Sequence, residues 1–201
     1  MGRQFPQTGA SKGSNLSLVL VDQTMAHDGE GKPLIPYRGA TLVVPVRKKG
    51  TDTAGPMVVW GLFEAEGVPG AYGVFMPARV VTERRQRVGA EGKGTVEESW
   101  EFQGADGHSL EIKLHYDHGV PQRGKSESRV YSGAHPDFFR IYRVELGSDV
   151  ARSTATGVDR ISRISVKAAG PTLAPLFDGT EQLVSLTSIP SYLRQVYLPG
   201  P

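Results

Sequence analysis

From residue 16 to residue 197 the chain alternates short runs rich in Val, Ile, Leu, Tyr and Phe with clusters of Gly and Pro, and that rhythm leaves little room for long helices. The runs that read as strands are Leu16–Gln23, Ala40–Arg47, Met57–Glu64, Ala71–Phe75, Arg79–Val88, Gly94–Gln103, Ser109–Tyr116, Phe138–Leu146, Asp159–Ala168 and Leu193–Tyr197. Between them stand Asp28-Gly29, Lys49-Gly50, Val68-Pro69-Gly70, Ala105-Asp106-Gly107 and Ala169-Gly170-Pro171, each with ordinary turn chemistry. Ser109 to His115 alternates so that Leu110, Ile112 and Leu114 share one face, the pattern of a sheet with one buried side. So many short strands at this spacing predict a mainly β fold, an antiparallel barrel or sandwich. The one helical turn expected is Pro171–Phe177, ended by Asp178-Gly179.

The chain has 201 residues, 38% of them hydrophobic, which suits one core. Residues 1–14 mix Gly, Ser, Gln and Pro and read as a flexible N-terminal arm, leaving 15–201 as a single domain. The polar stretch Val120–Ser128 reads as a mobile surface loop, with a lid as its alternative role. No run approaches the roughly 18 to 20 apolar residues that cross a bilayer, so the expectation is a soluble, cytoplasmic protein with no membrane partner.

Zero Cys removes disulfides, thiolate metal sites and cysteine nucleophiles. With 23 basic against 21 acidic residues, the net charge of +2 gives no long-range field of the kind a nucleic-acid binder uses. The basic clusters Arg47-Lys48-Lys49 and Glu83 to Arg87 are expected to be solvated strand ends, and no nucleic-acid partner is expected. There is no phosphate-cradling loop, dinucleotide fingerprint or nucleophile elbow. His115, Asp117 and His118 are close in sequence, but strand alternation turns His118 away from the other two, so no metal site is expected. Asp28, next to His27, is a turn residue.

Several stretches, taken in order, resemble the acetoacetate decarboxylase superfamily. Tyr37 to Arg47, with Val44-Pro45-Val46, resembles a family strand that ends in a Val-Pro-Val motif, and Gly70 to Arg79 has the spacing of the family signature. Pro136 to Tyr142 resembles a later Pro-x-Tyr/Phe strand. Gly170 to Asp178, followed by Leu193 to Pro199, resembles the closing helical turn and last strand. The resemblance spans residues 16 to 199 and implies a cone-shaped antiparallel β-barrel with an interior pocket, assembled as a homo-oligomer.

It also implies where the chemistry departs. The family's Schiff-base lysine falls on Ala78 and its neighbouring lysine on Arg79, and neither side chain forms an imine. A family Glu falls on Gly39, the signature Arg-Glu pair falls on Ala71 and Tyr72, and another family carboxylate corresponds to Asp22. What is left is a pocket suited to an apolar ligand oriented by a few polar groups. The expected function is a cofactor-independent, non-decarboxylating cyclase, a cycloaddition-type pericyclase being one form, acting on an apolar, carbonyl-bearing, polyketide-like intermediate of secondary metabolism. Shape would hold the substrate near its reactive conformer, and Arg79, Tyr72 or Tyr142 would polarise its carbonyl. Asp22 completes the catalytic set, and Trp60, Glu64, Phe75, Met76, Ala78, His115 and Tyr142 form the substrate-facing set. Two alternatives stand beside it. One is an aldolase- or dehydratase-type lyase on a keto acid, with Asp22 or Glu64 as base and Arg79 as carboxylate clamp. The other is a non-catalytic barrel that binds a hydrophobic ligand. Trp60 either lines the cavity or fills the core, while Trp100 is expected to pack in the core.

Overall fold

A computed structural model describes residues 2–3, 9–25, 27, 30–33, 35–64, 70–90, 94–105 and 107–197. The chain is mainly β, and its strands are β1 (Gly2–Arg3), β2 (Ser17–Gln23), β3 (Tyr37–Arg47), β4 (Ala54–Glu64), β5 (Phe75–Val88), β6 (Gly94–Gly104), β7 (Ser109–His118), β8 (Gln122–Ser132), β9 (Phe139–Ser153), β10 (Val158–Asp159), β11 (Ile161–Ala169) and β12 (Ser185–Tyr197).

The sheet forks at β4. One edge of β4 pairs antiparallel with β3 along its whole length. The other edge is shared: Met57 and Val58 pair parallel with Tyr131 and Ser132 of β8, and Gly61 to Phe63 pair parallel with Phe75 to Pro77 of β5. One branch runs β8, β9, β12, and the other runs β5, β6, β7, β11, all antiparallel within the branch. The branches meet again because the stretch 158–169 is continuous in space, its β10 part on β9 and its β11 part on β7. At that seam the Arg160 N–H donates to the Ala151 carbonyl and the Asp117 N–H to the Arg160 carbonyl, both within 2.9 Å. The result is a nearly closed, barrel-shaped sheet. Its strands are antiparallel as expected except at the fork, where β4 pairs parallel with both β5 and β8.

Leu18 and Leu20 of β2, Ala40 and Leu42 of β3, Trp60 and Leu62 of β4, and Val80 of β5 pack against Val96, Trp100, Phe102, Leu110, Ile112, Leu114 and Tyr116 of β6 and β7. Ala151 and Leu173 complete this core. Side chains therefore fill the centre of the barrel rather than lining the interior pocket that the resemblance implies. Each fully buried Leu or Phe stabilises the fold by about 1.5–3 kcal/mol relative to exposure. Trp100 lies in the core as expected, stacked on Phe102 at 5.9 Å with its indole N–H donating to Glu98 (2.7 Å).

Several expectations change. Ala71–Phe75 is not a strand: Ala71 to Gly73 form a turn, with Gly70 and Gly73 at positive φ, and β5 begins only at Phe75. Val120–Ser128 is not a mobile loop or lid but mostly β8. Its polar side chains are satisfied by charge pairs across to β9, where Lys125 meets Glu145 (3.0 Å) and Arg143 meets Glu127 (2.6 Å). β9 and β12 are longer than predicted, β9 reaching Ser153 and β12 starting at Ser185. Pro190 sits within β12 where the pairing with β9 shifts register, a place where a strand tolerates a missing N–H. The turn expected at Pro171–Phe177 is present as overlapping hydrogen-bonded turns, Ala174 N–H to Gly170 O (3.0 Å) and Phe177 N–H to Leu173 O (3.1 Å). Within 1–14, the described residues are attached to the barrel: β1 pairs with β3, and the Ala10 carbonyl accepts from Ser153 Oγ at 2.9 Å.

Candidate functional site

The expected site residues divide between two places that share one ring, Phe63. Along β3 and β4, Arg38 lies opposite Glu64 and Gly39 opposite Phe63, while Asp22 of β2 lies opposite Arg38. The Arg38 guanidinium therefore bridges two carboxylates, Asp22 at 3.1 Å and Glu64 at 3.2 Å. Beside this bridge is an open groove of about 700 Å³, lined by Ile35, Pro36, Phe63, Ala78, Arg79 and Gln103 among others. Glu64, Ala78 and Arg79 thus share a surface, and Asp22 reaches it through Arg38. Arg79 is exposed there and meets neither nearby carboxylate, since Glu64 pairs with Arg38 and Glu83 with Arg85.

Phe63 connects the groove to an aromatic wall. Gly39 and Gly61 make room for it: a Cβ on Gly39 would run into the Phe63 ring, and one on Gly61 would stand 2.8 Å from Phe75 and 3.1 Å from Phe63. In that space Phe63 packs on Tyr37 (5.8 Å) and Phe75 (4.4 Å), and Tyr72 meets Phe75 and Phe138, each at 5.9 Å. Gly39 is therefore a seat for an aromatic ring.

Tyr72 is held by the turn in front of β5. The Gly73 N–H closes it on the Gly70 carbonyl (3.1 Å), and the positive φ of Gly73 suits a residue without a side chain, since a Cβ there would stand 2.9 Å from His135. Ser132, fully buried at the end of β8, locks the turn: its Oγ donates to the Tyr72 carbonyl (2.6 Å) and accepts the His135 N–H (2.9 Å). Tyr72 is only 4% exposed, and its hydroxyl donates to that of Tyr142 on β9 at 2.7 Å. Burial, followed by the nearby Tyr142 oxygen, pushes the Tyr72 phenol well above its ordinary value, so it stays a protonated donor.

Two arginines flank this pair. Arg140, two residues before Tyr142 on β9, places its guanidinium 5.8 Å from the centre of the Tyr72 ring, with a buried Nε that has no hydrogen-bond partner. Arg194 of β12 lies 5.4 Å from the centre of the Tyr142 ring and donates to Gln23 Oε1 (2.7 Å) and Tyr37 OH (2.6 Å). Burial works against the Arg194 charge, but the neighbouring Tyr37, Tyr142 and Tyr192 oxygens outweigh it and its pKa is raised. Tyr192 also donates to Gln23, so these contacts tie the free edge of β12 to that of β2. Arg140, Arg194, Tyr37 and Gln23 were not singled out from sequence; their only signal is the i, i+2 spacing of Arg140 with Tyr142 and of Tyr192 with Arg194, which places each pair on one strand face.

Of the remaining substrate-facing candidates, Phe75 belongs to the aromatic wall, and Met76 and Ala78 pack against the core. Trp60 is a core residue, 5% exposed, whose indole N–H has no partner and whose ring lies 5.9 Å from that of buried His108. His115 does not join the others. It alternates with the core-facing Leu114 and Tyr116 and lies on the opposite face of β7, with Nδ1 at 2.9 Å from Ser162 Oγ. Among the described residues, no three His, Asp or Glu side chains gather as a metal site, and no helix is long and apolar enough to cross a membrane. In comparisons with known proteins, no family model, curated protein or solved structure matches this chain.

Proposed function

We propose that the protein is a cofactor-independent, non-decarboxylating cyclase that binds an apolar, carbonyl-bearing substrate against the aromatic wall and polarises its carbonyl with the Tyr72–Tyr142 pair. One observation carries this reading: two phenols joined at 2.7 Å, one of them buried and kept protonated, at the end of a run of aromatic rings. Because Tyr72 donates to Tyr142, the Tyr142 hydroxyl hydrogen is left for a substrate oxygen, and that donation is strengthened by the one behind it. Drawing electron density onto the carbonyl oxygen activates the conjugated carbons for ring closure. The product is an isomer of the substrate, so no co-reactant is needed. A preorganised donor of this kind supplies about 2.7–4 kcal/mol in the transition state, and holding the reacting carbons in contact supplies several more. The resemblance to acetoacetate decarboxylases, with Ala78 and Arg79 where the lysines would stand, is consistent with chemistry that forms no imine.

The test is to incubate the protein with linear polyenes that carry a conjugated carbonyl and to follow cyclised product over time. Turnover is expected to fall roughly 100-fold in Tyr142→Phe, the cost of one oxyanion donor, and to be little changed in Arg79→Met. Stoichiometric capture without turnover would sink the enzyme reading and leave a hydrophobic-ligand binder. The keto-acid lyase is a second reading, favoured by the groove that Glu64, Arg38 and Arg79 share. It requires the reverse sensitivity, with Arg79→Met or Glu64→Gln abolishing activity and Tyr142→Phe sparing it.

A further inference from the structure

The half-buried arginines among the described residues are Arg38, Arg140, Arg152, Arg160 and Arg194. Arg38 is paired with Asp22 and Glu64, Arg152 with Asp159 and Arg160 with Asp149. Arg140 and Arg194 have no carboxylate partner among the described residues; they meet aromatic faces and neutral oxygens. Both flank the same phenol pair, so two positive charges without a carboxylate partner among the described residues lie beside it where water is already restricted. Charge of this kind is costly to bury unless something of opposite sign completes it. A planar guanidinium is matched best by a group whose negative charge is spread over two oxygens.

We infer that the ligand of the Tyr72–Tyr142 site carries an anionic head group with its charge shared by two oxygens, a carboxylate or the enolate of an acidic dicarbonyl, seated between Arg140 and Arg194 with its apolar body along Phe63, Phe75 and Phe138. This inference rests on the phenol pair being the substrate site, and it names the substrate class. Tyr142 would donate to one head-group oxygen while the arginines hold the charge.

Calorimetric titration with paired probes tests it. One pair is decanoate and decanamide; the other is a cyclic acyl dione, ionised as its enolate at neutral pH, and the dione's O-methyl ether. The native protein is expected to prefer the anion of at least one pair by about tenfold or more, the usual worth of charge-assisted over neutral hydrogen bonds. A preference for decanoate alone assigns a carboxylate head, one for the dione alone an enolate head, and one for both the shared class. The double variant Arg140→Gln/Arg194→Gln should lose the preference, and Arg194→Lys, which keeps the charge, should retain part of it. Equal binding of anions and neutral partners, or a preference that survives in the double variant, overturns the inference. If neutral and anionic probes bind alike and both weaken in Tyr142→Phe, the anionic head is wrong and the site reading stands. If no probe binds, both fail.

Discussion

At the seam where β10 and β11 join β9 to β7, the Arg160 guanidinium meets the Asp149 carboxylate and also donates to the carbonyls of Asp117 (3.0 Å) and Val150 (2.6 Å). Asp149, 5% exposed, is completed by the Gly119 N–H at 2.8 Å. In the phenol cluster, Arg194 is also half-buried and also bridges strands, yet among the described residues it finds an amide oxygen, a hydroxyl and two ring faces and no carboxylate. The first arginine is satisfied by its own chain, and its role ends with closing the barrel. The second contributes little that a neutral donor would not, and the anionic head group proposed above would give its charge a partner. Arginines in similar burial can thus be separated into structural and recognition roles by asking what neutralises them.

The largest effect should come at the seam. Asp149→Ala leaves the half-buried Arg160 guanidinium without its carboxylate and is expected to cost about 3 kcal/mol of stability, the low end for breaking a buried pair, read from denaturant unfolding. Removing both partners in Asp149→Leu/Arg160→Leu should cost clearly less than the sum of the single changes, because no lone charge remains. Arg194→Met should cost no more than about 1 kcal/mol, the scale of a typical net hydrogen bond. A loss as large as that of Asp149→Ala would break the comparison by making Arg194 a structural residue. On the same scale, Tyr72→Phe removes one hydroxyl from the pair and should cost about 0.5–1.5 kcal/mol, measured in the same way.

Alkali offers a different probe of the comparison. The phenols of Tyr72, Tyr116 and Tyr192 are raised above the ordinary value of 10.0, burial being the leading cause in each. The folded state therefore holds these protons more tightly than the unfolded chain. Their contribution to stability is full below the unfolded phenol value and is lost as pH climbs through the folded ones. Phenolate absorbance should show these three tyrosines ionising only above the ordinary value, with unfolding as the buried Tyr72 and Tyr116 ionise. Ionisation of all three at the ordinary value would contradict this.

Much of the barrel was legible because one-sided burial writes itself as alternation. Leu110, Ile112 and Leu114 declare the inner face of β7 by sequence alone. By contrast β8 was illegible, since Arg123, Lys125 and Glu127 are exposed and their pairing is set by β9, a partner that no local pattern reveals. Tyr72 and Tyr142 were named as carbonyl donors, but their meeting depends on the turn at Gly70–Gly73 and on Ser132, which are distant in sequence. Arg79 drew attention through its position in the resemblance and proves to be an exposed residue beside the groove. Arg194 drew none, because whether an arginine has a counter-ion is decided by the fold.

The fork at β4 also bears on how the chain reaches its native state. During synthesis β3 and β4 can pair as soon as both emerge, but the Met57–Val58 part of the second edge of β4 waits for Tyr131 and Ser132 of β8, and the circuit closes only when residues 158–169 have joined β9 to β7. Pairings so far apart in sequence give a high contact order, so folding should fall in the millisecond-to-second range rather than the microsecond one. Throughout that interval Met57 and Val58 present an unpaired apolar edge. A chaperone-poor environment should therefore trap this protein through β4, before its site has formed at all.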